Sequence, residues 1–221
     1  MLKNNRTLYS LIRRAFILPV LFAPMVLCSF TPPKTTTART TLVLDAAHGG
    51  TDAGARGADN STEKALTLRM CREMARLAPE YNIDVKMTRE ADKYLTLAER
   101  VEIADKIYNG IVVSLHVNQA TPDNVAANDY EVIVSEKNSQ LAESKMLAAA
   151  VADHLHTGGI SARLNQKNLF VLRNTHPAIA IECGDINNAI DMAHLRTEKD
   201  LENTCRHILS GIAAYVKATA K

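Results

Sequence analysis

The sequence predicts a single α/β domain, a twisted mixed sheet of about six strands with helices on both faces. Three observations carry this. Short apolar runs suited to buried strands recur from residue 41 onward, among them TLVLDA, IVVSL and AIAI. Between them lie longer stretches whose apolar residues repeat at helical spacing. Composition fits a packed core, with 47% hydrophobic and 23% charged residues in a chain of 221, which excludes a disordered or fibrous protein. That length forms a core without disulfide staples. None of the four cysteines forms a CxxC pair, so neither a zinc ribbon nor a thioredoxin-like redox motif is expected.

The first strand is expected at 41–46, followed by the turn-rich HGGTDAGARG of 48–57. Residues 61–78 carry apolar side chains at 65, 66, 68, 70, 74, 75 and 77 and read as a helix, with Ser61 or Thr62 as its cap. A strand at 83–87, a helix at 95–108 and a strand at 111–115 follow. Then come a strand at 130–134 and an Ala-rich helix at 140–156, stopped by Gly158-Gly159. Apolar runs at 169–172 and 178–181 read as strands, the second buried on both sides, and 199–217 as a last amphipathic helix. No internal repeat appears.

Charge separates the ends of the chain. The net +2 conceals six positives and no acid in residues 1–40, leaving 20 positives against 24 acids in the rest, or −4. A mildly acidic body lacks the basic footprint of a nucleic-acid-binding protein. At the N-terminus, basic residues precede the apolar run AFILPVLFAPMVLC, which is interrupted by Pro19 and Pro24. A membrane span needs about 20 apolar residues. The pattern is that of a secretory signal peptide over 1–28 followed by a polar Pro/Thr linker over 29–40. An uncleaved anchor and a lipid-modified Cys28 are its rivals, and bulky Leu27 disfavours the second. Export to the periplasm or cell envelope is expected, with any membrane attachment confined to this segment.

Three polar residues follow predicted apolar strands: His48 after the first, His116 after IVVSL, and Glu182 after AIAI. In open α/β sheets the ligand crevice lies at those carboxyl ends. Glu63 opens the helix beyond the glycine-rich loop. Each alone has an ordinary explanation, since a lone His after a strand is commonly a hydrogen-bonded structural residue and a Glu at a helix start serves the dipole. Together, two His and one Glu would make a three-ligand zinc site with an open fourth position. Glu182 would then move protons beside it.

The string LDAAHGGTDAGARG with EK at 63–64 resembles the opening of the zinc-dependent N-acetylmuramoyl-L-alanine amidases of bacterial cell-wall remodelling. TREADKYLTLAERVEIAD at 88–105, SLHVN at 114–118 and LFVLRNTHPAIAIECGDINN at 169–188 resemble later stretches of that family, in order over about 41–217. The resemblance implies zinc ligands at His48, Glu63 and His116 and a catalytic Glu182. It implies hydrolysis of the amide between N-acetylmuramic acid and L-alanine in peptidoglycan. The alternatives are a zinc peptidase acting on stem peptides and a non-catalytic wall-binding relative, which would lack one of the four residues. Three departures bear on loop shape: Ala46-Ala47 in place of Pro-Gly, Asn60 in place of Gly, and Asp185 where an aromatic is common.

Asp45 is a candidate to accept the second ring N–H of a ligand His, with a plain strand-end turn residue as the favoured alternative. Arg89, Asp92 and Arg100 are expected to form structural ion pairs. Asn118 and Glu131 are candidates to face the cleft, Arg173 and His176 to face substrate. His154, His156, His194 and His207 are read as surface or satisfied residues. Cys71 and Cys205 are candidates for a bridge, with all cysteines reduced as the plainer expectation. Some relatives carry a plugging helix after the second His; too few residues separate Asn118 from Tyr130 for one, so no activator protein is indicated.

Overall fold

The computed structural model describes residues 39–119 and 129–220. The export signal, Cys28 and most of the linker lie outside the described residues, as does most of the connection that follows Asn118. Six strands form one sheet: β1 (Thr41–Ala46), β2 (Asp84–Met87), β3 (Gly110–Asn118), β4 (Asp129–Val134), β5 (Ser161–Gln166) and β6 (Ala178–Asp185). Among the described residues they accompany five α-helices: α1 (Glu63–Leu77), α2 (Leu97–Asp105), α3 (Leu141–Thr157), α4 (Ala189–Arg196) and α5 (Glu198–Thr219). The strand order is β2-β1-β3-β6-β4-β5, and only the β6–β4 pair is antiparallel. Among the described residues, no helix is long and apolar enough to cross a membrane.

Period-two alternation sorts the strand side chains onto two faces. Leu42 and Leu44 of β1, Val113 and Leu115 of β3, and Ile179 and Ile181 of β6 pack with Met70 and Met74 of α1, Val151 of α3 and Ile208 of α5. This is the thick layer, and it buries most of the core. On the other face Val43, Val112, Ile133, Ala178 and Ala180 meet Ala104 of α2 and a short 3-10 turn, Phe170–Leu172. That cover is thin. Beyond it, the same face of β3 and β6 continues through Ser114, His116 and Glu182, at the carboxyl ends of the strands.

The sheet and its two-sided cover agree with expectation, but two elements exchange identities. Residues 169–172 were expected as a strand and form the 3-10 turn. Their apolar character reflects burial under the sheet, which periodicity over four residues does not distinguish from strand. The sixth strand is instead β5, whose polar sequence SARLNQ buries only Ala162 and leaves Leu164 57% exposed. Helix α4 was not anticipated. Thr62 occupies the α1 N-cap, yet its side chain makes no capping bond; α2 carries a full capping box through Thr96 and Glu99. Cys71, Cys183 and Cys205 are free and buried.

One irregularity matters for the site. His116 pairs with Glu182, but Asn118 pairs with Asp185, so β6 gains a residue between them. Gly184 takes up the step at φ 78, and a Cβ there would stand 2.9 Å from Cβ of Asp191. Gly184→Ala should lower stability by about 1–3 kcal/mol, read as a lower urea midpoint at constant slope. A midpoint equal to that of the parent would contradict the requirement for glycine.

Candidate active site

The site grows from the end of β1. Asp45 is buried and its carboxylate accepts from Arg100 Nη1 at 2.7 Å, Thr88 Oγ1 at 2.7 Å and Ser114 Oγ at 2.6 Å. Burial alone would raise its pKa; Arg100 and these hydrogen bonds hold it below the ordinary value. The guanidinium of Arg100 also donates to the carbonyls of Ala46 and His48. Arg89, equally buried, donates to the carbonyls of Ala46, Ala47 and Lys64. Two arginines thus satisfy the backbone where β1 stops. His48 follows at φ 59, a left-handed conformation uncommon outside glycine.

Glu63 is the first residue of α1, where the helix N-terminus favours a carboxylate. Its two oxygens are occupied alike. Oε2 meets His48 Nε2 at 3.0 Å and accepts from Ala55 N at 2.9 Å. Oε1 meets His116 Nδ1 at 3.1 Å and accepts from Val117 N at 3.2 Å. The outer nitrogens are also held: His48 Nδ1 by Asp52 at 2.8 Å, and His116 Nε2 by Ser114 Oγ at 3.2 Å. The imidazoles lie 5.8 Å apart, nearly perpendicular. Gly54, at φ 64, closes the loop over them; a Cβ there would stand 2.5 Å from Glu63 Oε2. Asn60 takes φ 66, a left-handed conformation that asparagine adopts more readily than most residues.

This arrangement sets the charges. The hydrogen bond to Glu63, then that to Asp52, outweigh burial and raise the His48 pKa to about 9. Burial would raise Glu63, yet its bonds to His116, His48 and Ala55 hold it well below the usual carboxylate range. His116 loses by burial but gains more from Glu63 and moves up. Ligand atoms of His48, Glu63 and His116 lie within 4.8 Å of one another. Two imidazoles and a carboxylate, with each outer ring nitrogen fixed by a neighbour, fit a divalent metal ion.

Glu182 stands opposite His116 in register, on the same face, and burial pushes its carboxyl upward. Glu131 stands opposite Glu182 on β4. Asn118 ends β3, with its side-chain oxygen accepting from Gln119 N. The other candidate residues have mixed outcomes. Asp45 touches neither imidazole; its link to His116 runs through Ser114. Arg100 pairs with Asp45, and Asp92 with Lys64 and the amide of Gly50. Arg173 binds Asn168 and stacks over Phe170, and His176 binds the Ala104 carbonyl and packs against Gly110. Gly110 begins β3, six residues and about 20 Å of strand from His116, so His176 is at the wrong end of the sheet. Asp52 and Ser114 were missed. The signal for Ser114 was present: two residues before His116 on one strand means the same face.

Comparison with known proteins adds a family to this geometry. Residues 42–214 match the family model described as N-acetylmuramoyl-L-alanine amidase. A probable cell wall amidase, LytH, of Staphylococcus saprophyticus is 32% identical over 178 residues, 79% of this chain and 58% of that protein. The endolysin of Bacillus phage SPP1 is 31% identical over 182 residues, 80% of this chain and 66% of its own length. The chain therefore spans between about half and two thirds of these relatives. Among solved structures, the catalytic domain of CwlV, an N-acetylmuramoyl-L-alanine amidase from Bacillus (Paenibacillus) polymyxa, is 28% identical with a TM-score of 0.72, covering 80% of this chain and 98% of that one. The N-acetylmuramoyl-L-alanine amidase of Clostridium difficile 630 is 27% identical with a TM-score of 0.75, covering 82% and 99%.

Two outcomes follow from the charges. Arg100→Met leaves Asp45 buried without its cation, and stability should fall by about 3–5 kcal/mol; Lys106→Ala, which breaks only an exposed pair with Glu102, should leave it nearly unchanged. Equal denaturation midpoints for the two variants would refute the clamp. His48, with its pKa raised from 6.5 to about 9, stabilises the metal-free fold fully below pH 6.5 and loses that effect as pH rises toward 9. A metal taking its Nε2 must expel the proton, so binding at pH 7 should release at least one proton and weaken as pH falls. Titration calorimetry in buffers of different ionisation enthalpy measures the release, and a heat independent of buffer would contradict it.

Proposed function

The chain belongs to the N-acetylmuramoyl-L-alanine amidase family, and from that premise we propose that it is a zinc hydrolase cutting the amide between the lactyl group of N-acetylmuramic acid and L-alanine in peptidoglycan. The observation that carries the reading is Glu63 bridging two imidazoles while Glu182 stands beside His116 in register. His48 Nε2, His116 Nδ1 and Glu63 would hold the ion. Zinc supplies Lewis acidity toward the scissile carbonyl and acidifies a water molecule.

The remaining work belongs to the chain. Glu182 takes the proton of the attacking water on its carboxylate and delivers it to the departing amine nitrogen of L-alanine. Its upward-shifted pKa suits a group that must hold that proton between two transfers. Ser114, anchored by Asp45, accepts from His116 Nε2–H and so keeps Nδ1 turned toward Glu63. Asp52 does the same for His48. Because the substrate lies in the envelope and residues 1–28 read as an export signal, we place the protein outside the cytoplasm.

Digestion of purified peptidoglycan by the zinc-loaded protein should free stem peptides beginning at L-alanine, seen by mass spectrometry; cuts between amino acids would make it a peptidase instead. His116→Ala should lose both zinc and activity. Glu182→Gln keeps shape but takes no proton, and should retain zinc while losing about 10²-fold or more in kcat. A Glu182→Gln protein without metal would make Glu182 a ligand, and a fully active one would move the proton elsewhere.

A further inference from the structure

A row of ionisable side chains crosses the sheet beside the site. His116 on β3 faces Glu182 on β6, Glu182 faces Glu131 on β4, and Glu131 faces Arg163 on β5. Residues paired in register point to one face, so all four share the face of the metal ligands. The Glu131 side chain is only 7% exposed, and both its oxygens are engaged. Oε1 accepts from Asn165 Nδ2 at 2.6 Å and Arg163 Nε at 3.3 Å, and Oε2 from Lys167 Nζ. The two cations come from the edge strand and the residue just beyond it, and remain open to solvent, Lys167 at 43% and Arg163 at 54%.

This cluster has no evident structural task. It joins no layers, and ion pairs with one half-exposed partner add little stability. Three donors already point at the Glu131 carboxylate. What it does is draw an ammonium and a guanidinium inward over the sheet, next to Glu182. Strands lie about 4.8 Å apart, which puts the Glu131 column about 10 Å from that of His116. A peptide residue spans about 3.5 Å, so two residues cover about 7 Å, and the long Lys167 and Arg163 side chains, turned inward to Glu131, reach back over the remainder to the residue following L-alanine in a stem peptide. In peptidoglycan that residue is D-glutamate or its amide. The glycan side of the scissile bond offers no carboxylate.

We propose that Lys167, with Arg163, forms a subsite that recognises the free carboxylate of the stem peptide's second residue, and that Glu131 positions it. The inference rests on the amidase reading. Its test uses two substrates that differ only there, N-acetylmuramoyl-L-alanyl-D-isoglutamate and N-acetylmuramoyl-L-alanyl-D-isoglutamine. The parent should favour the free acid by about tenfold or more in kcat/KM, the scale of one charge-assisted hydrogen bond, mainly through KM. Lys167→Gln should collapse that preference, and Lys167→Arg should keep it. Equal losses on both substrates in Lys167→Gln, or no preference in the parent, would overturn the subsite. Calorimetric binding of the two free dipeptides to the parent separates the claims. Selective binding without hydrolysis upholds the subsite and refutes the reaction; hydrolysis without selectivity does the reverse.

Discussion

A carboxylate buried at the end of a central strand imposes conditions on everything near it. Asp45 sits on β1 within the sheet, and an ionised group there is tolerated only if its charge is paired and its lone pairs are filled. Arg100 supplies the charge, and Thr88 and Ser114 the remaining donors. Those partners come from α2, the end of β2 and β3, so meeting Asp45's needs ties three elements to one point. Arg100 must also use its other N–H groups, and it spends them on the carbonyls of Ala46 and His48. The left-handed turn at His48 is held in this way. Replacing such a pair with apolar residues often leaves stability unchanged, so its value lies in geometry, with His48 and His116 brought to either side of Glu63.

The asymmetry of the two helical layers determines where that geometry is useful. The thick layer of α1, α3 and α5 leaves little room for chemistry on its side, because every central position there is apolar and buried. On the thin side, α2 and the 3-10 turn cover only the first half of β3 and β6. Side chains two residues apart on one strand pass from covered core to open cleft: Val112 to Ser114 to His116 on β3, and Ala178 to Ala180 to Glu182 on β6. The main core and the candidate site thus use opposite faces of the same strands. The step at Gly184 comes just after Glu182 and shifts the register, so that pairing with β3 resumes at Asp185, consistent with bulges lying beside functional residues.

Much of this was legible in the sequence, for identifiable reasons. Apolar runs named β1, β3 and β6 because those strands are buried on both faces, and the residues just past them named the site. Glu63 was readable as the first residue of a helix. Strand β5 was not readable, because an edge strand buries little and SARLNQ holds only two apolar residues, Ala162 and Leu164, and no β-branched one. That omission concealed how Arg163, Asn165 and Lys167 meet Glu131. His176 was placed at the site by its nearness to Glu182 in sequence, but it packs against Gly110 at the opposite end of β3. Asp45 was correctly marked as important, yet its partner was an arginine 55 residues away, which no local pattern reveals.

The division of roles between the site's carboxylates follows from their surroundings. Glu63 and Glu182 lie near the same histidine, and both are desolvated. They differ in what the surroundings return. Glu63 receives two backbone N–H groups and two imidazoles, so its anionic form is favoured even in acid, as a permanent ligand requires. For Glu182, burial dominates and the attraction of His116 is opposed by Glu63 and Glu131, so its protonated form becomes easier to reach. Neighbouring carboxylates pushed in opposite directions suit opposite tasks, one holding charge and the other passing a proton. Glu131 completes the contrast: its oxygens accept from Asn165, Arg163 and Lys167 at the edge of the sheet instead of from the two histidines.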